Sequence, residues 1–97
     1  MTYTQFLESL KDSKPPLNAN KYLQVLWYEK NGRWEESHNI AQDLHNNTGS
    51  RLHAYLHRRE GDNSNARYWY NLAGLPFPKL SMDEEWAEMA KEFLGLS

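Results

Sequence analysis

His53 and His57 stand four residues apart, and Glu60 follows three residues later. On a helix this spacing puts two imidazoles on one face, where they can hold one metal ion, with Glu60 as an oxygen ligand or as the acid/base partner. The pattern departs from H-E-x-x-H, because Ala54 occupies the place of the general-base Glu. A further protein ligand would have to come from His38, His45 or an acid elsewhere in the fold. The competing reading is structural: the imidazoles are partly buried and hydrogen-bonded to Tyr68, Tyr70 or Asp62. A second group, Arg51, Tyr55, Arg58 and Arg59, interleaves guanidinium forks with a flat ring. Such forks take carboxylates or phosphates in pairs. Their alternative partners are internal: Glu60, Asp62, or the acidic last segment with Asp83, Glu84, Glu85, Glu88 and Glu92.

These residues need elements to position them, and the hydrophobic spacing is helical throughout. Tyr3, Phe6, Leu7 and Leu10 predict a helix near 3–12 that stops before Pro15-Pro16. A second runs from about Asn20 to Asn31 and ends at Gly32, and a third from about Trp34 to Asn46. Thr48 or Ser50 is the expected cap of the fourth, which closes at Gly61. Asp62 caps the fifth, which Gly74, Pro76 and Pro78 terminate. Ser81 to Glu84 has capping-box spacing, and Met82, Trp86, Met89 and Phe93 carry a sixth helix to Leu94. The Tyr68-Trp69-Tyr70 run cannot face one ligand, since successive residues point about 100° apart on a helix.

The expected fold is therefore all-α, about six helices in antiparallel helical hairpins within one domain spanning 1–97. Residues 20–46 and 48–74 form two hairpins, and 81–94 the C-terminal helix. Superposing LWYEKNGRWEESHNIAQDL on YLHRREGDNSNARYWYNLA matches Gly32 to Gly61 and Ser37 to Ala66, a period of 29 residues.

Composition narrows the functions. The 97 residues contain no cysteine, which removes disulfides, thiolate nucleophiles and sulfur metal ligands. Net charge is -2, so the chain as a whole offers no attraction for nucleic acid or an anionic membrane. The first residues lack a basic segment followed by an apolar one, and no apolar run is long enough to span a bilayer. A soluble, cytoplasmic protein without a cofactor is expected. Nothing reads as a phosphate-binding glycine loop or a nucleophile elbow.

The second unit resembles a tetratricopeptide-like hairpin: small Ala54 in its first helix, a Gly61-Asp62 turn, small Ala66 and Ala73 beside Tyr70 in its second, and Pro78 beyond. The first unit departs from that pattern at Ser37 and Leu44, and the period is shorter than the usual value of about 34 residues. The same segment is also similar to a group of small bacterial proteins with the core HAxLHRxEGDxxNAxYWYxxAG, a group that brings no activity with it. The tetratricopeptide-like resemblance implies that His53, Ala54 and His57 pack against the partner helix. It also implies that Arg51, Tyr55, Arg58 and Arg59 line an inner curve that holds an extended peptide. The expected function is accordingly a protein- or peptide-binding module for partners with acidic groups. The alternative is a metal-dependent or acid/base enzyme using His53, His57 and Glu60.

Overall fold

A computed structural model describes residues 1–96, and among them it contains helices and no strand. Six helices follow one another: α1 (Tyr3–Ser9), α2 (Lys21–Lys30), α3 (Trp34–Ala41), α4 (Asn47–Arg59), α5 (Asn63–Leu72) and α6 (Met82–Leu94). No helix among the described residues is long and apolar enough to cross a membrane.

The starts and stops follow local chemistry. Asn20 and Asp62 accept hydrogen bonds from the backbone N–H groups of Leu23 and Asn65, each satisfying a donor that the first helical turn leaves open. Ser81 and Glu84 form the reciprocal capping box at the head of α6. Thr2 and Gln5 form another on α1. Gly32 and Gly61 both take positive φ, 72° and 81°, a region that glycine enters without a Cβ clash. The turns match bond for bond. Gly32 N–H donates to Glu29 and Arg33 N–H to Tyr28, while 29 residues later Gly61 donates to Arg58 and Asp62 to His57.

Two boundaries differ from the sequence reading. α3 ends at Ala41 rather than near Asn46, because the chain tightens into i→i−3 bonds from Asp43 to Ile40 and from Leu44 to Ala41. α4 is capped by Asn46, whose side chain accepts from Gly49 N–H, and not by Thr48 or Ser50. Gly49 is required there: a Cβ at this position would run into the Leu44 carbonyl oxygen.

α2 packs on α3, and α4 on α5, with α4 also touching α2 and α3. α6 lies against α1, α2 and α4. The core between them is rich in rings: Phe6, Trp27, Tyr55, Trp86 and Phe93 are buried together with Leu23, Leu26, Leu52 and Met89. Phe6 stacks on Trp86 at 5.8 Å, and the Trp86 indole N–H donates to the Leu26 carbonyl, so the one polar atom of that side chain is satisfied where water is excluded. A smaller cluster, Ala54, Ala66 and Tyr70, closes α4 on α5. The backbone of α5 approaches that of α4 and of no other helix among the described residues.

Candidate functional site

α4 displays three kinds of side chain in three directions, and each meets a different neighbour. Toward α2 and α6 it sends the arginines. Arg58 Nη1 lies 2.8 Å from Glu85 Oε1, and its Nη2 donates to the Leu80 carbonyl at 2.6 Å. The other oxygen of Glu85 accepts from the Tyr70 hydroxyl at 2.6 Å. Glu85 is only 2% exposed, so both of its oxygens are satisfied inside the protein. One helical position along, Arg59 binds Glu29 at 2.9 Å and Asp83 at 2.8 Å, and its Nε also donates to the Tyr55 hydroxyl. Lys30 adds a longer contact to Asp83, 3.5 Å. Arg51 pairs with Glu92 nearer the C-terminal end of α6.

The electrostatics follow from burial. Desolvation pushes the Glu29 carboxyl above the ordinary carboxylate range, with Arg59 and Lys30 pulling it part of the way back. Burial, reinforced by the Glu29 charge, raises the Tyr55 hydroxyl well above the usual phenol value, so it stays protonated as a donor. Tyr70 is raised in the same sense, by burial first and then by its bond to Glu85. Asp83 is exposed and shifts the other way, held down by the hydrogen bond from Arg59 and the charge of Lys30.

The arrangement bears directly on Arg51, Tyr55, Arg58 and Arg59 as a surface for an acidic partner. Tyr55 is fully buried and presents no face to solvent. The three guanidinium groups already hold carboxylates from α2 and α6, which an acidic peptide would have to displace.

Toward α3 and α5 the same helix sends its histidines. His53 stacks on Trp69 with centroids 4.4 Å apart and hydrogen-bonds the Ala41 backbone, which links α4 to both flanking helices. Its pKa is lowered from the ordinary histidine value, by desolvation foremost and then by the neighbouring charges of His57, His38 and His45. Glu60 turns to His38, 3.2 Å away. His57 Nδ1 is buried without a hydrogen-bond partner. His53, His57 and Glu60 therefore do not converge, and among the described residues no three His, Asp or Glu side chains are placed to hold an ion. The hydroxyl partners expected for the histidines are also differently used, since Tyr70 serves Glu85.

The third direction is α5 and what lies outside it. Tyr68, Leu72 and Leu75 are 60%, 54% and 38% exposed and recur at i, i+4 and i+7, a single stripe along the outer face of α5 and its exit. The positions 29 residues earlier are Asn39, Asp43 and Asn46, exposed and polar. Beside Leu75 opens a cavity of about 210 Å³, lined by Pro76, Pro78 and Leu80 with Arg51, Glu85 and Glu88 among its polar walls. The sequence reading did not single out the stripe. The signal that reveals it is the repeat, once the two units are compared for polarity at outward positions instead of for core residues. No family model, curated protein or solved structure matches this chain.

Proposed function

We propose that this chain is a small helical-repeat protein of tetratricopeptide-like hairpins that works by binding another protein, with the outer face of α5 as its recognition surface. The observation that carries this reading is the polarity change between equivalent positions: Asn39, Asp43 and Asn46 in the first unit, Tyr68, Leu72 and Leu75 in the second. An apolar stripe beside a backbone that only α4 approaches costs solubility unless something covers it. The repeat register supports the hairpin assignment through the twin Gly32 and Gly61 turns and the buried pairs Val25 with Ser37 and Ala54 with Ala66. A catalytic role for the histidines has weaker support, because Glu60 is taken by His38 and the His53 ring is covered by Trp69.

Capture from cell extract with immobilised protein tests this reading. The parent chain is expected to retain specific partners, and Leu72→Asp to lose them while keeping an unchanged helical circular dichroism spectrum. Identical recovery by the two proteins would remove α5 from the recognition surface.

A further inference from the structure

The stripe on α5 has a charge polarity that narrows what can cover it. Its flanking residues Ser64, Asn65 and Asn71 are exposed and uncharged. At its N-terminal end, next to Tyr68, is the exposed cation Arg67, which lies over the Phe77 ring at 5.0 Å and makes no ion pair among the described residues. At the other end Glu88, exposed and equally without an ion pair, shares the cavity wall with Leu75. Opposite charges at opposite ends of one apolar stripe make the surface complementary to its own copy turned through a two-fold axis. Such an axis lays α5 antiparallel on α5 of the second copy, Leu72 meets the partner stripe near the middle, and each Arg67 approaches the Glu88 of the other copy. A parallel pairing would instead set Arg67 against Arg67 and Glu88 against Glu88.

We propose that two copies of this chain associate through the outer face of α5 in this antiparallel, isologous way. The inference rests on the reading of that face as the recognition surface and goes further by naming the occupant. The arrangement buries Tyr68, Leu72 and Leu75 of both copies and leaves the core formed by α1, α2, α4 and α6 untouched. Tyr68 and Leu72 supply the central apolar contacts, where interface energy concentrates. The two Arg67–Glu88 contacts lie at the rim, where charges fix register more than they add affinity.

Sedimentation equilibrium of the purified chain over a wide concentration range provides the test. The parent is expected to show a monomer–dimer equilibrium. Leu72→Asp is expected to raise the dissociation constant by roughly a hundredfold or more, as loss of a central anchor does. Arg67→Glu and Glu88→Arg are each expected to weaken the dimer by roughly tenfold at low salt, and the two together to restore it. Circular dichroism and melting, recorded on each variant at a concentration where it is monomeric, separate loss of association from loss of folding. A parent chain that stays monomeric at every concentration overturns the proposal. If that monomer still captures partners in a Leu72-dependent way, the binding reading stands without self-association; if it captures none, both fall. A dimer that survives Leu72→Asp, or a charge reversal that fails to rescue the single variants, overturns the antiparallel α5 interface.

Discussion

The seam between α4 and α6 and the outer face of α5 reverse the usual placement of polar and apolar side chains. In the seam, carboxylates are buried, Glu85 almost completely, and guanidinium groups come inward to meet them. On α5, a tyrosine and two leucines face solvent. The contrast teaches that chemically suggestive residues can be absorbed by the fold itself, whereas residues that read as ordinary core material can form the surface. Three arginines on one helix look like a cationic docking patch until the acidic α6 is laid across them. The price of that arrangement is a set of buried charges that tolerates no missing partner.

Removing one partner gives the largest expected effect. Arg58→Ala leaves Glu85 with only the Tyr70 hydroxyl and strips the Leu80 carbonyl of its donor, so a destabilisation of about 3 kcal/mol is expected in denaturant melts. A loss below about 1 kcal/mol, the range of an exposed ion pair, would make the seam a surface feature and dissolve the contrast. Overpacking probes the junction between the seam and α5. Ala66 is fully buried in the cluster with Ala54 and Tyr70, and Ala66→Leu is expected to cost about 2 kcal/mol. An unchanged melting temperature would mean that α5 is held loosely, and would weaken the case that its outer face is a formed surface.

Acid gives the smallest effect and concerns the histidine side of α4. The folded state lowers the pKa of His53, so the unfolded chain binds its proton more readily. The stability this group contributes is fully present above its ordinary value of 6.5 and is lost as pH falls through that value toward the lower folded one. The melting temperature is therefore expected to drop modestly on acidification across that window, and His53→Phe, which keeps a ring against Trp69, to flatten the dependence. Glu29 acts in the opposite sense. Its raised pKa means that folding favours its protonated form, so acidification through its own range relieves a penalty and cannot mimic the histidine loss. A parent and a His53→Phe variant with the same pH profile would assign the acid response to another group.

Much of the fold was legible because it depends on local chemistry. The Ser81 to Glu84 capping box, the Asp62 cap and the glycine stops at 32 and 61 each act within a few residues. The end of α3 was not, since the apolar spacing of Ala41 and Leu44 continues beyond the point where the backbone turns away to admit Gly49. In the candidate site, the residue types were visible and their partners were not. Arg58 and Glu85 are 27 positions apart, and whether they meet depends on where the segment from Leu75 to Leu80 delivers α6. The stripe was hidden for a related reason: Tyr68 and Leu72 have the helical spacing of a buried face, and only the absence of a helix beyond α5 exposes them.

The shared carboxylate of Glu85 has a consequence for how the molecule opens. Its two oxygens tie Arg58 on α4 to Tyr70 on α5, and its own backbone belongs to α6. Detaching α5 strips the carboxylate of the Tyr70 donor, and detaching α6 carries the buried charge away from both donors, so neither helix opens without disturbing the other. Amide protons along α5 should therefore exchange with solvent in the same cooperative step as those of α6, although the two backbones are not neighbours.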